Sequence, residues 1–149
     1  MKSEYLNILM ADDDPDDRML VRDALQESQS PHQLTCVEDG EELLDYLRHR
    51  GAYSSLDESS RSYLILLDLN MPRKDGRETL REIKADPQLR RIPVVILTTS
   101  QAEEDIARSY DLGASSFITK PSDFATLVTL VQMINQYWFK TVRLPPSEN

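Results

Sequence analysis

Five short apolar segments recur along the chain, separated by longer segments in which apolar residues have helical spacing. The apolar runs cover residues 8–11, 34–37, 63–67, 93–97 and 116–119, and polar or turn-forming residues bound them. Runs of this length suit strands that are buried on both faces of a sheet. Between them, apolar residues recur three and four positions apart, as in Leu43, Leu44 and Leu47. The pattern predicts five strands that alternate with five helices.

This alternation predicts a doubly wound α/β domain, with a five-stranded parallel sheet and helices on both of its faces. Three helix-boundary signals support the assignment. Asp14-Pro15 offers a cap followed by proline at the first helical position, and Asp75 with Glu78 has capping-box spacing. Gly113 suits the end of the fourth helix. In such folds ligands bind at the carboxyl ends of the strands, so chemistry is expected there.

Two segments contain more than a five-stranded α/β domain requires. Residues 48–62 form a long polar connection, which we interpret as a solvated loop rather than a recognition loop. The last helix, at about residues 123–139, has an expected core stripe of Phe124, Leu127, Val128, Val131 and Ile134. Leu130, Met133 and Tyr137 form a second apolar stripe beside it. This second stripe is a candidate homodimer surface, although a covering by tail residues 141–144 would satisfy it equally.

Composition narrows the classes of function that remain open. A length of 149 residues is typical of one domain, and the net charge of −9 argues against a nucleic-acid-binding surface. The single cysteine, Cys36, cannot form an intrachain disulfide and suits a reducing compartment. The start of the chain has no secretion-signal pattern, and no apolar run is long enough to span a membrane. We therefore expect a cytoplasmic protein without nucleic-acid or membrane partners.

Oxygen-bearing side chains follow several of the predicted strands. Asp12 and Asp13 come after the first strand, and Asp68 comes after the third, two residues before Asn70. Two carboxylates about 4 Å apart repel by about 4 kcal/mol at an effective dielectric constant of about 20. A divalent cation removes this repulsion, and Mg²⁺ prefers oxygen ligands of this kind. Asp12, Asp13, Asp68 and the Asn70 carbonyl are the expected metal ligands.

The same strand edge carries the groups needed for phosphoryl transfer. A carboxylate beside a metal can attack phosphorus to form an acyl phosphate, while the metal and a lysine balance the charge. Lys120, after the fifth strand, fits the role of that lysine. The hydroxyl of Thr98, at the end of the fourth strand, is placed to bond a phosphoryl oxygen and so to work as a switch. His32 and His49 follow no strand and are expected at the surface.

Taken together, these motifs resemble the receiver domain of two-component response regulators over about residues 7–139. The motifs are Asp12-Asp13, Asp68 in Leu-Asp-Leu-Asn-Met-Pro, Asp75-Gly76, Thr98 and Lys120-Pro121. The resemblance implies a flavodoxin-like receiver fold. It also implies a single receiver domain over residues 1–149, with a tail at 140–149 and no output domain.

The resemblance assigns a role to each matching residue. Asp68 would accept a phosphoryl group from a sensor histidine kinase. Asp13, Asp68 and the Asn70 carbonyl would bind Mg²⁺ directly and Asp12 mostly through water, with Mn²⁺ as a substitute. Phe117 would pack inward or outward with the movement of Thr98. The chain would then be a phosphoacceptor signalling protein rather than an enzyme, acting on a downstream protein or a phosphotransfer partner.

Three segments resemble a narrower group within this family. They are the insertion at 48–62, residues 97–100, and the ending at 137–139 and 142–145. These segments are similar to those of single-domain regulators that partner bacterial and cyanobacterial phytochrome kinases. The resemblance implies a phytochrome kinase as the phosphodonor.

Two other functions use a similar architecture. A haloacid-dehalogenase-like phosphatase would use Asp12 as its nucleophile, but it needs an acidic pair after the lysine. Only Asp123 and Glu148 follow Lys120, and Asp68 would then have no role. A nucleotide-binding module fails because none of the four glycines forms a phosphate-cradling loop. A phosphorylation-independent adaptor stays open.

Overall fold

The computed structural model describes residues 7–29, 32–54 and 63–145, along which five strands and five α-helices alternate. The strands are β1 (Asn7–Ala11), β2 (Gln33–Val37), β3 (Tyr63–Leu67), β4 (Val94–Thr98) and β5 (Ser116–Thr119). The helices are α1 (Pro15–Glu27), α2 (Gly40–Arg48), α3 (Gly76–Ala85), α4 (Glu103–Asp111) and α5 (Phe124–Ile134). A 3₁₀ turn at Gly51–Tyr53 follows α2, and a π-helical segment at Asn135–Thr141 follows α5.

All five strands belong to one parallel sheet with the order β2-β1-β3-β4-β5. The chain winds from β1 to the edge strand β2, then crosses back over β1 to place the remaining strands on its other side. The winding reverses between β1 and β3, which opens a crevice at their carboxyl ends. The predicted doubly wound α/β architecture is confirmed, and each predicted strand agrees with the observed one to within one residue at either end.

Alternate residues of the central strands pack on opposite faces of the sheet. Leu9 of β1 and Ile65 of β3 belong to one buried cluster, which they share with residues of α2 and α3. Met10 and Leu66 belong to a second cluster, shared with residues of α1 and α5. Since both faces are covered, neither face has polar positions, which explains the continuous apolar runs in the sequence.

The three helix-boundary signals read from the sequence are confirmed. The Asp14 carboxylate caps α1, of which Pro15 is the first residue. The Asp75 carboxylate caps α3 by accepting a hydrogen bond from the Glu78 backbone N–H at 3.0 Å. Gly113, just beyond α4, has a φ of +109°, a conformation that glycine adopts without strain. These local contacts fix where each helix starts or stops at the edges of the sheet.

The last helix differs from its prediction in two respects. The α-helix ends at Ile134 and continues as the π-helical segment, rather than running as an α-helix to residue 139. Phe124 was expected in the core, but it is 40% exposed. It is the first residue of α5, and helical side chains lean toward the amino end, so this ring extends beyond the packed turns. Leu127, Val131 and Ile134 are buried as predicted.

The second apolar stripe of this helix is only partly exposed. Leu130 is half-buried and packs against the cluster shared by α1 and α5, which Leu144 of the tail also contacts. Met133 and Tyr137 remain 62% and 53% exposed. The tail therefore packs against the same core, but it leaves an apolar surface at Met133 and Tyr137.

His32 was expected at the surface, and this expectation was wrong. The side chain is 9% exposed, and its Nε2 atom lies 2.5 Å from the Asn135 Oδ1 atom. The ring also makes an edge-on contact with Phe139, at 4.8 Å between centroids. The residue is buried because the segment after α5 folds back over the loop before β2.

Most of the insertion at 48–62 lies outside the described residues. Its start forms the 3₁₀ turn, in which the Tyr53 hydroxyl donates a hydrogen bond to Glu42 at 2.5 Å. His49 adopts a left-handed backbone conformation at the end of α2 and is half-buried. In the part of the chain that the structure describes, no helix combines the length and the apolar character needed to cross a membrane.

Candidate functional site

The two central strands bring Asp12 and Asp68 to the same edge of the sheet. Backbone ladder bonds continue past the strand ends: the Asp68 N–H donates to the Ala11 carbonyl at 3.0 Å, and the Asp12 N–H donates to the Val37 carbonyl at 3.1 Å. The backbone that carries each carboxylate is therefore held in place by hydrogen bonds to a neighbouring strand. The sheet topology therefore places both groups at the same edge without the help of side-chain contacts.

Three carboxylates converge at this edge. Asp12 and Asp68 are buried, at 1% and 7% exposure, whereas Asp13 is exposed. One oxygen from each lies within 4.8 Å of the others, an arrangement that could hold a metal ion. Asn70 follows Asp68 by two residues, and its backbone N–H lies 3.4 Å from Asp68 Oδ1. The donors are all oxygen atoms, which suits a hard divalent cation.

A fourth carboxylate, from Asp17 on α1, joins this cluster through Lys120. The Lys120 Nζ atom lies 2.6 Å from Asp17 Oδ2, 2.7 Å from Asp12 Oδ2 and 3.2 Å from Asp68 Oδ2. The sequence analysis did not identify Asp17. Asp17 is the third residue of α1, and helical side chains lean toward the amino end of their helix. An acidic residue in the first turn after Asp12 and Asp13 was therefore the one sequence signal that could have indicated its place in the cluster.

Burial and charge oppose each other at this cluster. Burial raises the pKa of the Asp12 carboxyl, and the neighbouring Lys120 offsets this effect only in part. Burial alone would lower the pKa of Lys120, but its contacts with Asp12 and Asp17 and the charge of Asp68 reverse the balance and raise it. Lys120 therefore stays protonated, and its one positive charge leaves the surrounding carboxylates with a net negative charge.

The buried oxygen Asp12 Oδ2 has an incomplete environment. Among the described residues its polar contact is the 2.7 Å ion pair with Lys120, and Asp17 and Asp68 share the same ammonium. An under-satisfied buried carboxylate oxygen is costly, and a bound cation would satisfy it. The net negative charge of the cluster and the incomplete environment of Asp12 Oδ2 both indicate that the site fits a divalent cation.

Thr98, the last residue of β4, carries a second under-satisfied atom. The residue is 0% exposed, and its Oγ1 atom has no hydrogen-bond partner in residues 7–29, 32–54 and 63–145. Its carbonyl accepts a hydrogen bond at 2.8 Å from the backbone N–H of Lys120, which ties the ends of β4 and β5 together. A buried hydroxyl without a partner is uncommon, and at this strand end, beside the acidic cluster, it can bond an incoming group.

Phe117 lies in the edge strand β5, half-buried against the cluster that includes α2 and α3. Its backbone N–H donates to the Tyr110 hydroxyl of α4 at 3.2 Å. The described structure therefore links the strand that carries Phe117 to α4, a contact that the sequence did not indicate.

A further polar network connects α3 to the loop after Thr98. The Asp105 carboxylate accepts hydrogen bonds from Ser100 Oγ and from the Arg77 guanidinium, both at 2.7 Å. Because these bonds favour the charged form, the pKa of Asp105 is lowered. Sequence periodicity could not reveal this network, since its members lie on α3, on α4 and in the loop between β4 and α4.

Gly76 of the Asp75-Gly76 motif packs closely against the loop that follows Asp68. Its N–H donates to the Leu69 carbonyl at 2.9 Å, so α3 begins in direct contact with the loop after β3. A Cβ atom at this position would lie 2.1 Å from the Asp68 carbonyl oxygen. Only glycine allows this approach, and the contact supports the backbone that carries the Asp68 carboxylate.

The fold and the site together define a doubly wound α/β domain with an acidic cluster and a lysine at the carboxyl edge of its sheet. The sequence model described as the response regulator receiver domain matches residues 8–132. The chain belongs to the response regulator receiver domain family, and it is a response regulator of two-component signalling.

Relatives of known identity extend over almost the whole chain. The response regulator Rcp1 of Synechocystis sp. is 44% identical over 140 residues, which cover 94% of this chain and 93% of Rcp1. The crystal structure of the phosphorylated cyanobacterial phytochrome response regulator RcpA is 46% identical, with a TM-score of 0.85 and coverage of 95% of this chain and 99% of RcpA. The Mn²⁺-bound structure of Rcp1 has a TM-score of 0.83 at 43% identity, covering 94% and 99% of the two chains.

Proposed function

We propose that this response regulator is a phosphoacceptor switch in which Asp68 receives a phosphoryl group from a sensor histidine kinase. The observation that carries the proposal is the convergence of buried Asp68 with Asp12, Asp13 and Lys120 at one edge of the sheet. In the phosphatase alternative Asp68 would have no role. In addition, Asp123 caps α5 by accepting the Thr126 N–H at 2.9 Å, so it is not available as the acidic residue that this alternative needs after the lysine.

The donors fit Mg²⁺, with Mn²⁺ as a substitute. Asp13, Asp68 and the Asn70 carbonyl would hold the ion directly, and Asp12 would do so mostly through water. The relative Rcp1 has a Mn²⁺-bound form, which supports a divalent cation in this family. When bound, the ion supplies positive charge to the oxygens of the transferring phosphoryl group.

In the transfer step, a carboxylate oxygen of Asp68 attacks the phosphorus atom of a phosphohistidine. The phosphorus–nitrogen bond breaks, and its electron pair returns to the imidazole of the kinase. Lys120, held at 3.2 Å from Asp68 Oδ2, would balance the charge on the phosphoryl oxygens. The chain acts on itself in this reaction, as a phosphoacceptor rather than as an enzyme with a separate substrate.

The switch would follow from the unpaired hydroxyl of Thr98. Phosphorylation adds about 1.5 to 2 negative charges and new acceptor oxygens, and the Thr98 hydroxyl would move to donate to one of them. Phe117 would then pack into the space that Thr98 leaves, altering the surface formed by α4, β5 and α5. Near-complete switching requires about 5.5 kcal/mol, so metal, lysine and threonine must act together.

The resemblance to RcpA and Rcp1 supports a phytochrome histidine kinase as the phosphodonor. The output would be binding to a downstream protein or onward phosphotransfer. Met133 and Tyr137, which are exposed, together with half-buried Leu130, form the proposed homodimer surface. The exchange would take place in the cytoplasm, where the free thiol of Cys36 stays reduced.

Intact mass spectrometry after incubation with acetyl phosphate and Mg²⁺ tests the phosphoacceptor proposal. One phosphate adduct is expected on the natural protein and on an Asp16→Asn control, whose carboxylate is exposed and outside the cluster. No adduct is expected for Asp68→Asn or in the presence of EDTA. An adduct that survives Asp68→Asn but disappears in Asp12→Asn would instead favour the phosphatase function.

Phosphotransfer from purified kinases tests the partner. A phytochrome kinase is expected to phosphorylate the chain with a kcat/KM at least about a hundredfold above that of unrelated histidine kinases, which corresponds to roughly 2.7 kcal/mol of discrimination. Equal rates with all kinases would contradict the phytochrome assignment, and they would leave the phosphoacceptor function intact.

A further inference from the structure

Asp17 makes the shortest contact of the three carboxylates around the Lys120 ammonium. Its Oδ2 atom lies 2.6 Å from Nζ and accepts a hydrogen bond from it, whereas Asp68 lies 3.2 Å away. Neither the receiver motifs nor the phosphoacceptor chemistry above requires a carboxylate on α1. The closest partner of the lysine in the unphosphorylated chain is therefore a residue without an assigned role.

The surroundings of Asp17 restrict where the ammonium can go. The side chains of Lys120 and Asp17 are 12% and 28% exposed, so the contact is partly shielded from water. Both residues line a small cavity of about 30 Å³, together with Pro121 and apolar residues of α1, β1 and β4. Apolar side chains, including Leu127 of α5, make up the rest of the lining, and Asp17 is the carboxylate that α1 contributes to it.

Lys120 has to satisfy different partners in the two states of the switch. In the phosphorylated state its ammonium must turn toward phosphoryl oxygens attached to Asp68. Asp12 can exchange its contact with the lysine for a contact with a cation, but Asp17 has no second cationic partner within the described residues. The Asp17 contact therefore remains in competition with the phosphoryl group.

We propose that Asp17 is a positioning residue that holds Lys120 in the resting state and competes with the phosphoryl group for its ammonium. This inference rests on the proposed phosphoacceptor function of Asp68. In this role Asp17 weakens the binding of any phosphoryl-like anion at Asp68 and so favours the resting state. Because a charged hydrogen bond in a partly exposed site is only moderately strong, its removal should change anion affinity by about three- to tenfold.

Calorimetric titration with beryllofluoride, a stable mimic of a phosphoryl group on aspartate, tests the competition in the presence of Mg²⁺. Asp17→Asn, which keeps the side-chain shape, is expected to bind beryllofluoride about three- to tenfold more tightly than the natural chain. Asp16→Asn removes the same charge from the neighbouring exposed position and should change affinity by less than about twofold. This control separates direct contact with the lysine from a general reduction in negative charge.

A double-mutant cycle with Lys120→Met separates positioning from a structural role. Asp17→Asn should have no effect on beryllofluoride affinity when the ammonium is absent, and thermal unfolding verifies that each variant is folded. Unchanged or weaker binding by Asp17→Asn, or an equal effect in the Lys120→Met background, would overturn the competition. If the natural chain fails to bind beryllofluoride, the phosphoacceptor function fails and this inference fails with it.

Discussion

The unpaired hydroxyl of Thr98 leads to a prediction in which stability and function change in opposite directions. Thr98 is fully buried, and its Oγ1 atom lacks a partner among the described residues. Replacement by valine keeps the shape and the strand preference of the side chain while removing the polar atom. Leaving a buried hydroxyl unpaired costs about 1–3 kcal/mol, so Thr98→Val should stabilise the unphosphorylated chain by about 1–2 kcal/mol.

Thr79 provides a matched control for this substitution. It is also 0% exposed, but its hydroxyl donates to the Asp75 carbonyl at 2.7 Å. Thr79→Val removes a satisfied hydrogen bond and leaves the carbonyl with one partner fewer, so it should destabilise the chain by about 1 kcal/mol. The two substitutions share chemistry and burial; Thr98 ends a strand and Thr79 lies in α3, and the contrast that the comparison uses is the hydrogen bond of the hydroxyl.

Urea unfolding at fixed pH measures both changes. For a domain of this size, 1 kcal/mol corresponds to about 2–4 °C in Tm, so the two variants should lie on opposite sides of the natural protein in thermal unfolding as well. If Thr98→Val destabilised the chain as much as Thr79→Val, the Thr98 hydroxyl would already be satisfied, and the reasoning would be wrong. The stabilised variant should nevertheless lose most of its phosphorylation-dependent change in partner binding.

Three further measurements test the packing, the titration and the surface of the chain. Gly76→Ala should lower the free energy of unfolding by about 2 kcal/mol or more, because the new Cβ would meet rigid backbone. Gly113→Ala should lower it by only about 1 kcal/mol, because its nearest neighbour is the flexible Lys84 side chain. Urea unfolding measures both changes. Burial lowers the pKa of His32 below its ordinary value, so the folded chain binds fewer protons there than the unfolded chain. Stability should therefore fall as pH drops below about 6.5, and His32→Gln should flatten this part of a stability–pH profile, while an unchanged slope would contradict the assignment. If the proposed homodimer forms through Met133 and Tyr137, replacing both by serine should raise its Kd by about tenfold or more in light-scattering measurements. An unchanged Kd, or a monomeric natural chain, would contradict this surface.

The chain order of apolar and polar positions was enough to predict the architecture and to group the candidate site residues. Strands that are buried on both faces must be apolar throughout, so their positions are visible without knowledge of their neighbours. The carboxyl ends of parallel strands meet at one edge, so Asp12, Asp68, Thr98 and Lys120 could be grouped before any distance was known. Helix caps were visible for the same reason, since a cap is a contact between residues a few positions apart.

Contacts between separate elements were decided only by the tertiary structure. Asp17 contacts Lys120 although the two residues are 103 positions apart in the chain, and no local sequence pattern records a contact over that distance. His32 is buried because the segment after α5 folds back over it, and Phe124 is exposed because it is the first residue of α5 and its ring extends beyond the packed turns. A local pattern records which face of an element is apolar, but the angle and offset at which two elements pack come from the fit of many side chains at once.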